Sequence, residues 1–173
     1  MIALVLKLVQ QLVKALNSEG TPLQVALGIA LGACLGLTPI GSLHNAALFL
    51  LVLVLNVSLA GFWLGWGVFV PFGFLLDPLF DRIGHALLAA DALRPLWTAL
   101  TNLPVVPFTN FNNTVVLGSF VFWLAALVPI LLGAKWAIAK YRATIYERLR
   151  RTRAFKAVTA SQLYRVYRLF QPE

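Results

Sequence analysis

In the run GTPLQVALGIALGACLGLTPIGSLHNAALFLLVLVLNVSLAGFWLGWGVFVPFGFLL, residues 20–76, 57 residues pass without one Lys, Arg, Asp or Glu. Thr21 followed by Pro22 reads as an N-cap with proline at the first helical position. A helix over 22–37 then ends at Thr38-Pro39-Ile40-Gly41. Ser42 is placed to cap a second helix, 43–55, and Asn56 a third, 57–76. A span needs about 20 apolar residues, with a lower bound near 17. The first two pieces hold 16 and 13 residues and the third 20. The first pair therefore reads as a re-entrant hairpin turning at 38–42, and the third piece as a full crossing. A variant with a span at 43–64 and a re-entrant 65–76 would bring Trp63 and Trp66 nearer an interface, which tryptophan prefers.

Working outward, residues 114–134 form a second apolar run of 21 residues. Pro129 kinks it without ending it, since membrane helices tolerate proline. Between the runs, 77–113 is mixed and proline-rich. Asp77-Pro78 reads as the start of a surface helix, and Pro95, Pro104 and Pro107 break the remainder of that stretch. Upstream, Lys7, Gln10, Gln11 and Lys14 mark one face of residues 1–16, an amphipathic helix lying in the interface. Lys7 and Lys14 interrupt the apolar core that a cleaved signal peptide would need.

The whole chain is 60% hydrophobic and 12% charged, against about 25% charged in soluble domains. An ordinary soluble domain is excluded. One cysteine, Cys34, rules out an internal disulfide framework and a cysteine-built zinc site. The net charge of +8 sits in residues 135–173, which hold ten basic and two acidic residues; the rest sums to zero. The expected division is a membrane domain over 1–134 and a basic tail over 135–173. The tail carries Arg148, Arg150, Arg151, Arg153, Lys156, Arg165 and Arg168, suited to an anionic leaflet or a protein partner. Leu163, Val166, Tyr167 and Phe170 recur at helical spacing opposite Arg165 and Arg168, and docking on lipid or on a protein stays open. No nucleic-acid module accompanies it. The positive-inside rule places both termini in the cytoplasm and the 77–113 loop, with two basic and three acidic residues, outside.

Three clusters are candidates for function. Gly28, Gly32 and Gly36 form overlapping GxxxG units; they read as a homodimer face or, more plainly, as packing within the chain against 43–55. The break at Thr38, Pro39, Gly41 and Ser42, followed by His44 and Asn45, is the polar point inside the apolar run. Broken helices expose amide and carbonyl ends that bind substrates, and free amides at a helix start hold phosphate or carboxylate. His44 is an ionisable group within a membrane run, functional by default unless the hairpin tip is wet. Asp77, Asp81 and His85 share a helix face at metal-ligand spacing, but capping and helix-end electrostatics account for them, so no metal or cofactor is expected. No zinc HExxH, phosphate-binding glycine loop or activated nucleophile is present.

Thr21-Pro22, the Ala26/Gly28/Ala30/Gly32/Gly36 ladder, the Pro39-x-Gly41 break, Asn56, Pro71, Arg82-Ile83-Gly84 and Leu87-Leu88 come in an order that resembles a bacterial membrane family, domain of unknown function 2062. The resemblance covers 21–88; the family often carries Asn-Pro where this chain has Val70-Pro71. It implies a bacterial inner-membrane protein. Similar proteins are fused to glycosyltransferases acting on lipid-linked sugars or accompany large envelope proteins of suspected lipid-transfer function; no catalytic residues carry over. The expectation is an all-α, multi-pass inner-membrane protein. It would be a non-enzymatic component of envelope lipid handling with membrane lipids as partners, or alternatively a scaffold for an envelope protein or glycosyltransferase.

Overall fold

The structure, a computed structural model, describes residues 20–146. The expected interfacial helix at 1–16 and the basic residues from Arg148 to Arg168 lie outside them. The described residues are all-helical, with no strand among them. Five α-helices succeed one another: α1 (Pro22–Leu37), α2 (Leu43–Val54), α3 (Leu59–Ala89), α4 (Arg94–Thr101) and α5 (Thr114–Lys140). Short 3-10 turns occupy Asp91–Leu93 and Val106–Thr109, and a π turn, Tyr141–Tyr146, comes after α5.

Local chemistry sets the first boundaries. Thr21 Oγ1 accepts from the Gln24 amide, and Gln24 Oε1 accepts from the Thr21 amide at 2.7 Å, a reciprocal capping box with Pro22 at the first position. Thr38 is extended (φ −98°, ψ 147°), as the residue before a proline must be, and it ends α1.

Two boundaries differ from expectation. Ser58, not Asn56, caps α3: its Oγ accepts from the Gly61 amide at 3.0 Å. Residues 55–58 thus separate α2 from α3, and no continuous span runs through 43–64. Helix α3 does not stop at Leu76 either. It holds 31 residues and passes through both Pro71 and Pro78, roughly 46 Å at 1.5 Å per residue. Asp77-Pro78 is helix interior, not a helix start.

Backbone-to-backbone packing explains the continuation. A Cβ on Gly28 would run into the Ser58 carbonyl, on Gly32 into that of Phe62, and on Gly36 into Trp66 and Phe69. Reciprocally, Gly61 meets Val25, Gly65 meets Ile29, and Gly73 meets Gly36. Numbers rise together, so α1 and α3 run parallel in glycine-mediated contact. The glycines of α1 therefore lie against α3, whereas packing against 43–55 was expected.

Beyond the prolines, Gly84 abuts the Thr114 backbone and Gly118 abuts Phe80, which sets α5 antiparallel to α3. Asp81 accepts a hydrogen bond from Thr114 Oγ1. Trp123 Nε1 donates to the Ala30 carbonyl at 2.8 Å, tying α5 to α1. Ala33, Cys34, Leu37, Phe80 and Trp123 form the buried core where α1, α3 and α5 meet.

The chain divides into two compact units between Lys135 and Trp136. In the second, Lys140 Nζ lies 4.7 Å above the Trp136 ring, and Thr144 Oγ1 donates to the Lys140 carbonyl at 2.6 Å. Two helices, Leu59–Ala89 and Thr114–Thr144, are long and apolar enough to cross a membrane.

A candidate polar site at the helix break

Three side chains knit the turn between α1 and α2. Thr38 Oγ1 bonds both the Cys34 carbonyl and Asn45 Oδ1 at 2.8 Å, and Asn45 Nδ2 donates to the Pro39 carbonyl at 2.8 Å. Thr38, Ser42, His44 and Asn45 are all buried. Pro39 and Gly41 are exposed, and a Cβ on Gly41 would meet nothing within 4 Å. Ser42 stands at the N-cap position but does not cap α2; its Oγ points back to the Pro39 carbonyl at 3.3 Å. The start of α2 thus has no side-chain cap.

His44 lies in the first turn of α2 and is 8% exposed. The tip is therefore not a place where this imidazole is bathed by solvent. Phe111 stacks on it at 5.5 Å between ring centres, and Phe120 meets it edge-on at 5.2 Å. The Thr109 backbone lies beside the ring, yet neither Nδ1 nor Nε2 completes a hydrogen bond to the protein. Buried polar atoms are nearly always paired, and an unpaired one costs about 1–3 kcal/mol. A neutral imidazole offers one donor and one acceptor. Here both nitrogens are buried, the Thr109 backbone lies against the ring, and the residue sits in the first turn of a 12-residue helix without a side-chain cap, whose N-terminal end carries partial positive charge.

Residues 109–111 form the cover of the site. Asn110 adopts the left-handed conformation (φ 58°), and its Nδ2 reaches the Gly41 carbonyl at 3.4 Å. Behind Phe111 lies a mostly apolar cleft of about 180 Å³, walled also by Leu88, Trp97, Leu100 and Val106. Phe111, Phe120 and Asn110 did not emerge from the sequence reading. Their one signal was that 95–134 carries no ionisable side chain, which marks the segment but not its partner.

The other candidates are placed elsewhere. Gly28, Gly32 and Gly36 lie against the α3 backbone within the chain. Cys34 is fully buried in the core. Asp77, Asp81 and His85 all fall within α3, with Asp81 bonded to Thr114. Among the described residues no three His, Cys, Asp or Glu side chains gather as metal ligands would.

No protein-family model matches the chain, and no solved structure does. An uncharacterised protein of Treponema pallidum (strain Nichols) is 28% identical over 155 residues, 88% of this chain and 94% of the relative. The likeness thus extends over nearly the whole of both chains.

Proposed function

We propose that this chain is a non-enzymatic component of envelope lipid handling in a bacterial inner membrane, and that the α1–α2 break holds an acidic lipid headgroup. The observation that carries the reading is His44: a buried imidazole that completes no hydrogen bond at either ring nitrogen, in the first turn of a helix without a side-chain cap. A phosphate or carboxylate satisfies both features at once. It accepts from the imidazole N–H and from helix amides, and its charge is favoured at that helix end. Thr38, Asn45 and Pro39 hold the turn rigid, and Gly41 leaves the approach open.

The membrane setting is supported by exposure. Only 22% and 28% of the apolar windows in the two long helices are buried, whereas the core helix of a soluble protein is mostly covered. Phe74 and Leu75 on α3 and Val128 and Leu132 on α5 are more than half exposed. Large apolar side chains exposed in such number on two long helices call for a partner or a lipid phase. Both termini are cytoplasmic in this reading, with α3 leaving and α5 returning. The motif order in 21–88 that resembles domain of unknown function 2062 points the same way.

Mass spectrometry of lipids and proteins retained in native membrane discs tests the proposal. The expected result is one phosphate- or carboxylate-bearing lipid enriched over the bulk membrane, lost in His44→Ala and Gly41→Leu while both variants still insert. Lipid profiles identical in all three chains would overturn it. A stoichiometric protein retained without lipid selectivity would make the chain a scaffold instead.

A further inference from the structure

The connection between α3 and α5 does not have the character of an aqueous loop. From Pro95 to the end of the apolar part of α5, residues 95–134 carry no Lys, Arg, His, Asp or Glu. Within it, Leu96, Leu103, Val105 and Phe108 are 48%, 50%, 59% and 68% exposed. Helix α4 is short and two-faced: Trp97 and Leu100 turn toward the cleft, and Leu96 turns away from it. The segment is also tethered. Trp97 Nε1 donates to the Leu87 carbonyl at 3.0 Å, and Asn110 reaches Gly41. The last charges before it, Asp91 and Arg94, pair in the open at 2.7 Å.

We infer that residues 95–109 lie in the membrane interface, with Leu96, Leu103, Val105 and Phe108 inserted among the acyl chains next to the α1–α2 turn. A lipid surface is the occupant these observations select. Water would leave four large apolar side chains exposed with no charge among them to offset their hydration. The segment is joined on both sides to helices that cross the bilayer in the proposed reading, so its ends are held at the membrane. Interfacial elements bury their apolar face about 5–10 Å into the boundary between headgroups and acyl chains. The consequence for the site is directional. Because Asn110 and Phe111 cover the turn, His44 is approached sideways from the lipid leaflet, and the ligand class is an amphiphile already in the membrane. The inference rests on the membrane reading proposed above, but not on the headgroup at His44.

Single cysteines in a Cys34→Ala background, labelled with an environment-sensitive fluorophore in phosphatidylglycerol–phosphatidylcholine vesicles, test it. Leu103→Cys and Phe108→Cys are the test positions. Val128→Cys on α5 is the lipid reference and Asp91→Cys the water reference. The expected result is quenching at 103 and 108 by lipids bearing a nitroxide near the headgroup, with iodide several-fold less effective than at 91. Iodide quenching equal to that at 91, with 128 still in lipid, overturns the inference alone. Protection from both quenchers at 103 and 108, as under a protein partner, overturns it as well. Iodide reaching 128 removes the membrane reading and the inference with it.

Discussion

His44 sets local stability against ligand recognition. Its ring contacts Phe111 and Phe120, and neither ring nitrogen completes a hydrogen bond. Replacing it with phenylalanine keeps the aromatic contacts and removes the unpaired polar atoms. His44→Phe should therefore raise the detergent-solubilised stability by about 1 kcal/mol while abolishing lipid selectivity, read as a higher melting temperature beside a flat lipid profile. A variant that melts lower and keeps its lipid would show that the imidazole serves packing. Asn45 behaves oppositely. It bridges Thr38 and the Pro39 carbonyl, so Asn45→Leu removes two hydrogen bonds and should cost about 1–3 kcal/mol in the same melting experiment, although Thr38 keeps the Cys34 carbonyl and Pro39 keeps Ser42 Oγ. The polar half of this site was legible: Thr38, Ser42, His44 and Asn45 stood out as polar groups in an apolar run. Its aromatic half was not, because Phe111 and Phe120 are 67 and 76 positions away in sequence and no spacing rule connects them to residue 44.

At the scale of elements, glycine position distinguishes packing from permissiveness. Gly32 lies against the Phe62 backbone, whereas a Cβ on Gly67 would meet nothing within 4 Å. Gly32→Ala must force α1 and α3 apart, at a cost of about 1–3 kcal/mol or more. Gly67→Ala should be neutral or stabilising by about 0.5–1 kcal/mol, the helix preference of alanine over glycine. Equal melting temperatures for the two variants would mean that the α1–α3 contact is looser than the geometry requires. The same contacts explain which boundaries the sequence disclosed. Helix α1 was legible at both ends, because Thr21-Pro22 and Thr38-Pro39 act within a few residues of where they stand. The end of α3 was not, since Asp77-Pro78 carries a local start signal that distant contacts override. Gly84 on Thr114 and Gly118 on Phe80 hold the helix together past its second proline, and both contacts join segments about thirty or more residues apart in a chain whose local signals reach only a few residues.

In the proposed membrane setting, α1 and α2 either cross the bilayer or turn back inside it, and we propose the turn on the length of α1. Helix α1 is 16 residues long, roughly 24 Å, against a hydrocarbon core of about 30 Å. It runs parallel to α3 from the same end, since Ser58 donates its amide to the Gln24 carbonyl at 3.1 Å. A helix that starts level with the first residues of α3 and rises roughly 24 Å stops short of the opposite face. Its tip is covered by residues 109–111, which adjoin the segment 95–109 inferred to lie in the interface. Ile40, 69% exposed at that tip, then meets lipid and not water. In intact cells and in inside-out vesicles, a charged, membrane-impermeant thiol reagent should label Asn56→Cys only from the cytoplasmic side and Asp91→Cys only from the outside. Ile40→Cys should resist it from both sides yet react with an apolar, permeant reagent. Labelling of Ile40→Cys from outside at the rate of Asp91→Cys would instead make α1 and α2 full crossings, with the polar turn open to water and the lateral route to His44 lost.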